Sequence, residues 1–261
     1  MKNYGFNPPE ITEEDYHFGG NKIQGQVLQG NGHGWLDFLP IFEPQSRAGI
    51  ETNGCTQYNT LNPIETLLKR QFGGDYNYSE RGLGILAGTN PNSGNNPKTI
   101  SDTIRHKGLI LDSLLPFNDT IKTSEEYYQP NPLPENLIQE GEKWVEQWDF
   151  GYEYVKTPFT KTNAEIIIDA LQYSPLGCSV VAWAKNENGL YEKPEGMNDN
   201  HWTGLFDYEY GAYWLIYDSY DESIKKLVWD YDFGFIQRYS IKKREIKINW
   251  WTYFLTKYLW R

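Results

Sequence analysis

Cys55 stands in Asn53-Gly54-Cys55-Thr56, where a glycine-marked turn gives way to a segment with helical spacing that is predicted to run to about Phe72. The thiolate, not the thiol, is the reactive form of cysteine, and the partial positive charge at a helix N-terminus lowers a thiol's pKa. His201 follows 146 positions later (201 − 55), at the head of an apolar run, and Asp218 ends another apolar run 17 positions after that. Nucleophile, base and an acid that orients the base are the groups thiol-dependent acyl transfer requires.

Each residue also has a plainer reading. A free cysteine often serves as a small buried hydrophobe. Glu51, Thr52, Asn53, Thr56 and Gln57 flank Cys55, and so polar a setting predicts that it is not buried. Cys178, inside Gly177-Cys178-Ser179-Val180-Val181-Ala182-Trp183, reads as an ordinary strand position. Of the four histidines, His17 and His33 fall in a polar N-terminal stretch, and His106 ends a helical segment, where the helix dipole accounts for it. His201 follows the polar loop Glu195 to Asn200 and is expected to be partly exposed at a strand start, within reach of a thiol and a substrate. None of the four is closely paired with Cys or a carboxylate along the chain, so no metal site and no cofactor is expected. Asp218 is costly to bury unless paired; an imidazole N–H would answer that cost, and so would the cap of a turn.

These groups need elements to hold them. Residues 1–34 are polar and Gly/Pro-rich, with a short apolar group at Ile23 to Leu28, and read as an arm wrapping the rest. Tyr58, Leu61, Ile64/Glu65 and Leu68 repeat at helical spacing after Cys55; Pro63 should kink that helix, and Gly73-Gly74 should end it. Further helices are predicted at Ser79 to Gly88 with Ser79 as N-cap, Ile100 to His106, Leu133 to Trp148, and from a Thr162/Asn163 cap to Tyr173. Asn90 to Lys98 and residues 119–133 read as loops. The apolar run Cys178 to Trp183 is followed by β-type runs at His201 to Phe206, Ala212 to Tyr217, Lys226 to Trp229 and Phe233 to Tyr239, with Asp207 to Gly211 as a hairpin turn. A helical first half and a β-rich second half predict an α+β fold of two lobes, the helical one at about 45–157 and the β-rich one at about 158–240.

The 261 residues are enough for a substantial core, and 39% hydrophobic with 16% aromatic residues argues against disorder. A net charge of −11 argues against nucleic acid as a general partner. The charge is uneven: residues 242–261 hold six Lys/Arg and one Glu (+5), leaving −16 for residues 1–241. Two cysteines cannot form a disulfide framework, the start Met1-Lys2-Asn3-Tyr4-Gly5 lacks a secretory apolar region, and no stretch of about 18 apolar residues occurs. A cytoplasmic protein is the expectation. Residues 241–261 read as a basic aromatic tail, within which Ile246 to Arg261 alternates and then repeats at helical spacing, so it could lie on an anionic membrane, dock on a partner, or pack back on the acidic body.

The ordered set Cys55, His201, Asp218 resembles the catalytic residues of papain-like cysteine peptidases, whose Cys-to-His separation is about 130–150 residues. Ile64-Glu65, starting nine positions after Cys55, is similar to the Ile-Glu of that family's nucleophile helix. Ile216-Tyr217-Asp218-Ser219-Tyr220 resembles its apolar-Asn-Ser-Trp segment, with Asp218 at the Asn place and Tyr220 at the Trp place. Asn200-His201 before a strand, Ser79-Glu80, and the stretch Ile100 to Phe117 are similar as well. The resemblance spans about residues 35–240 and implies a two-lobe fold, a protein or peptide substrate and an acyl-enzyme intermediate. It further implies an oxyanion hole built from the Cys55 N–H and a side-chain amide, here Gln45, with Trp202 or Tyr220 shielding the His201–Asp218 bond.

The chain departs from that pattern in several places. The second cysteine and the Trp usual around the nucleophile are missing, Gln45 stands ten positions ahead of Cys55, and Asp replaces Asn as orienter. No recognisable inhibitory propeptide precedes the core. Family disulfides are absent too, which fits an intracellular, phage-encoded or virion-associated member. A transglutaminase-like acyltransferase, which also runs Cys…His…Asp, and a catalytically inactive papain-like binding or assembly module remain open.

Overall fold

The computed structural model of the chain describes residues 3–12, 14–19 and 33–245. Ile23 to Leu28 and the tail from Ile246 onward lie outside the described residues.

A small hairpin, β1 (Ser46–Arg47) and β2 (Ile50–Glu51), leads into α1 (Cys55–Phe72). Four further helices follow: α2 (Glu80–Leu86), α3 (Pro97–Lys107), α4 (Ser124–Tyr127) and α5 (Glu135–Gln147). Then come β3 (Trp148–Lys156), α6 (Ala164–Leu171), β4 (Leu176–Val180), β5 (Ala184–Lys185) and β6 (Tyr191–Glu192). The chain finishes with β7 (His201–Glu209), β8 (Tyr213–Asp218), β9 (Asp221–Val228) and β10 (Ile236–Lys243). Strands β3 to β10 form one sheet in the order β3-β10-β4-β7-β8-β9-β6-β5. This is the expected α+β architecture, a helical region beside a large sheet.

α1 is the axis of the molecule. Every residue from Cys55 to Leu68 is buried, so the helix has no solvent face until its last turn. Leu61, Ile64, Leu67 and Leu68 enter the main core, together with Ile100 and Ile104 of α3 and the inward residues of the sheet. Tyr58 turns the other way, into a second core with Ile85, Ile110, Tyr127, Tyr128 and Leu137. The single apolar stripe read from the sequence is therefore divided between two cores. Pro63 sits within a helix that continues to Phe72, and Gly73, at φ +70°, ends it with its N–H on the Lys69 carbonyl.

Local signals placed most other helices. Ser79 caps α2 by accepting from the Gly82 N–H, and Asn163 caps α6 by accepting from Glu165. α3 begins earlier than its apolar residues suggest, because Asn96 accepts from Thr99 and Pro97 occupies the first turn, so the Asn90 to Lys98 loop is shorter than expected. The largest departure is β3. Trp148–Lys156 falls inside the expected helical lobe, yet it pairs antiparallel with β10 along Lys156↔Ile236 to Trp148↔Lys243. The same pairing takes Ile241 to Lys243, expected to open the tail, into the sheet. No helix among the described residues is long and apolar enough to cross a membrane.

Candidate active site

β7 and β8 form the expected hairpin, and their register explains how His201 meets Asp218. Gly204 pairs with Tyr217, so Thr203 stands opposite Asp218 and His201 is its diagonal neighbour on the same face. The His201 ring nitrogen Nε2 lies 2.6 Å from Asp218 Oδ1, and both side chains are wholly buried. Thr203 Oγ1 reaches the same oxygen at 3.3 Å. An ionised carboxylate only accepts, so the shared proton belongs to Nε2, and Nδ1 is the nitrogen turned away from Asp218. Nδ1 is buried without a hydrogen-bond partner among the described residues.

Cys55 begins α1, and its thiol lies against the backbone N–H of Trp202, the residue after His201. The two segments are stapled by Asn59. Its Nδ2 donates to the Trp202 carbonyl at 2.7 Å, to Ser219 Oγ at 2.8 Å and, more weakly, to the Cys55 carbonyl at 3.2 Å. One amide thus joins the helix N-terminus to the strand bearing His201 and to the residue after Asp218.

Gln45 joins the same network. Ser219 Oγ donates to Gln45 Oε1 at 2.6 Å, and the Gln45 N–H donates to the Ser219 carbonyl at 3.0 Å. Gln45 Nε2 donates to Tyr220 Oη at 2.8 Å and to Glu51 Oε1 at 2.9 Å, while Tyr220 Oη donates to Glu51 Oε2 at 2.7 Å. The β1–β2 hairpin lies within the nine residues between Gln45 and Cys55 and folds back on itself, so the displaced Gln45 still joins this network. Both of its amide protons are engaged, however.

Two expectations fail here, for one reason. Cys55 and His201 were expected to be accessible, and both are 0% exposed. The N-terminal arm covers them. Phe6 packs with Cys55, Trp202 and Phe235, its ring parallel to that of Trp202 at 5.9 Å. The Tyr4 ring sits edge-on to His201 at 5.9 Å and to Tyr220 at 5.7 Å. Backbone bonds fasten the arm on both sides: Tyr4 N–H to the Asn200 carbonyl, Asn95 N–H to the Gly5 carbonyl and Asn7 N–H to the Asn95 carbonyl. Gly5, at φ +96°, passes so close to Asn53 that a β-carbon would lie 2.0 Å from its carbonyl oxygen. Of the two proposed shields, Tyr220 packs on the His201 ring at 5.4 Å, joined by Trp183 at 5.5 Å; Trp202 stacks on Phe6 instead.

Electrostatics follow from this closure. Burial pushes the Cys55 thiol far above its ordinary value, and the charges of Asp218 and Glu51 push the same way against the N–H groups of Trp202 and Thr56. The helix N-terminus alone therefore does not ionise it. Burial would raise Asp218 as well, but His201 and then Lys225 outweigh it and hold the carboxyl below the usual range. Cys178 is buried in β4, as its sequence suggested, and its thiol too is pushed up by burial.

The sequence reading missed Asn59, Ser219, Glu51, Lys225, Trp183 and the arm residues Tyr4 and Phe6. Only the polarity of an otherwise buried helix could have drawn attention to Asn59. Away from the site, His33 pairs with Asp207, a contact that sequence separation hides. Glu43, Glu80 and Asp112 bring carboxylate oxygens within 4.8 Å of one another, the one grouping among the described residues with metal-like spacing. Burial and then the charge of Asp112 raise Glu43 to about 7, and a hydrogen bond between Glu43 and Glu80 requires a shared proton.

No protein-family model matches the chain, and no curated protein matches it. Solved structures do. A recombinant stem bromelain precursor superposes with a TM-score of 0.54 at 15% identity over 80% of this chain and 69% of that one. Digestive procathepsin L 3 of Tenebrio molitor larval midgut gives 0.56 at 15% identity, covering 84% and 76%. The bromelain protease from Ananas comosus, in complex with the E64 inhibitor, gives 0.55 at 16% identity, covering 80% and 97%. The chain carries the two-lobe fold of the papain-like cysteine proteases.

Proposed function

We propose that the chain is a cysteine peptidase in which Cys55 is the nucleophile, His201 the base and Asp218 its orienter. One observation carries the reading: a buried imidazole whose Nε2 is held by Asp218 at 2.6 Å while Nδ1 is left unpartnered, on the strand that α1 and Cys55 pack against. Nothing in core packing calls for that arrangement. A base held by an acid, with its second nitrogen left to accept a proton, accounts for it, with no hydrogen bond joining Nδ1 to Cys55 Sγ in the closed form.

In this mechanism His201 Nδ1 takes the Cys55 proton and the thiolate attacks a peptide carbonyl. The oxyanion meets the Cys55 N–H at a helix start that has no side-chain cap, together with one N–H of Gln45 turned away from Glu51 or Tyr220. The imidazolium gives its proton to the leaving amine, and water, deprotonated by the same Nδ1, releases the acyl group. Because burial disfavours the thiolate, the arm residues Tyr4 to Phe6 must leave before the thiol can ionise.

The closed site and the engaged amide of Gln45 also suit a second reading, a papain-like module used for binding. Labelling with an epoxide inhibitor at pH 6, followed by assay on peptide substrates, separates the two. A peptidase should be labelled at Cys55 and not Cys178, and both Cys55→Ala and His201→Ala should abolish turnover in folded protein. Equal, slow labelling of both thiols, or turnover surviving either substitution, rejects the assignment.

A further inference from the structure

Asp218 has a second partner that the proposed mechanism does not use. Lys225, on β9, is only 4% exposed, and its Nζ lies 3.4 Å from Asp218 Oδ2 and 2.7 Å from Asp221 Oδ2. Asp218 Oδ2 makes no well-formed hydrogen bond, so Lys225 is its one close countercharge among the described residues. The ammonium also stands 5.3 Å from the ring centre of Trp183, the same ring that meets His201 edge-on. His201 therefore holds one oxygen of the carboxylate, and Lys225 faces the other.

A buried carboxylate is tolerated only when paired. In the proposed cycle His201 gains and loses a proton at Nδ1, so its attraction for Asp218 changes from step to step. Lys225 takes no part in that proton exchange and lies 3.4 Å from the other oxygen of the carboxylate. We infer that Lys225 is a positioning residue that keeps Asp218 ionised and offsets its charge, so that an Asp can orient His201 without opposing the negative sulfur. Other groups facing this cluster are Cys55 of α1, Glu51 of β2, Tyr4 of the arm, Tyr220 after β8, Asp221 of β9 and Cys178 of β4. Lys225 is the cation among them.

The inference rests on the thiol–imidazole reading, and its test needs no peptide substrate. The rate of Cys55 alkylation by iodoacetamide is followed against pH in the full chain. Lys225→Met should move the rising limb up by about one pH unit, the order expected of losing one charge near a thiol in a protein interior. Lys225→Arg should leave it in place. Asp218→Asn should move it down, and Asp218→Asn with Lys225→Met should return it near the wild-type position. Should Lys225→Met fail to fold, the comparison of Asp218→Asn with the double variant reads the same effect. A limb that ignores Lys225 in both backgrounds overturns the inference, and if His201→Ala still shifts the limb, the thiol–imidazole reading survives alone. If His201→Ala shifts nothing, both fall together.

Discussion

Asn59 Nδ2 lies 2.7 Å from the carbonyl oxygen of Trp202, across 143 residues of chain. Through this bond and its companion to Ser219 Oγ, a side chain in the second turn of α1 sets where Cys55 stands relative to His201 and Asp218. A polar residue on a buried helix is tolerated because its donors are fully used.

Replacing Asn59 by Ala leaves the Trp202 carbonyl and Ser219 hydroxyl short of a donor in the interior. The expected cost is about 1–3 kcal/mol in denaturant unfolding. Turnover should fall with little change in KM, since the loss is alignment rather than substrate contact. An unchanged kcat in the folded variant would show that α1 is registered on the sheet by packing alone.

Phe6→Ala removes the ring that stacks on Trp202 and covers Cys55. Alkylation of Cys55 should speed up at least severalfold while Cys178, buried in β4, stays unreactive. Mass spectrometry of the two cysteine peptides reads both at once. Equal rates in wild type and variant would mean that the arm does not control access.

Gln45→Ala should lower kcat by about a hundredfold, the usual order for loss of one oxyanion donor. Because Gln45 also ties Ser219 to Glu51 and Tyr220, a modest loss of stability should accompany it. A large stability loss with kcat preserved would reassign Gln45 to structure only.

Glu43 predicts a pH dependence. Burial raises its folded-state pKa to about 7, above the ordinary value of 4.5, so between these values the folded protein holds a proton that the unfolded chain has released. Stability should therefore decline as pH rises from about 4.5 to about 7. Glu43→Gln should flatten that decline in thermal unfolding measured across the range. An unaltered slope would place its origin elsewhere, with Glu65 or Glu80, both also raised by burial, as the next candidates.

Much of this protein could be read along the chain. Caps at Ser79 and Asn163, the stop at Gly73 and the hairpin from His201 to Asp218 are local signals acting over a few residues, and each acts as its local chemistry predicts. The order and spacing of Cys55, His201 and Asp218 likewise pointed to an imidazole and an acid that the fold brings to 2.6 Å, and to a thiol that lies against the N–H of the next residue, Trp202. Sequence could not say that β3 joins the sheet, because its pairing partner, β10, lies about ninety residues away. Nor could it say that Cys55 is sealed: Gln57 and Asn59 look solvent-facing until Tyr128, Trp202 and Ser219 arrive to bond them. Residue type determined which groups could do chemistry. Burial, the countercharge of Lys225 and the cover of Phe6 were decided only in three dimensions, because hydrogen bonding and desolvation act through space between segments that chain order keeps apart.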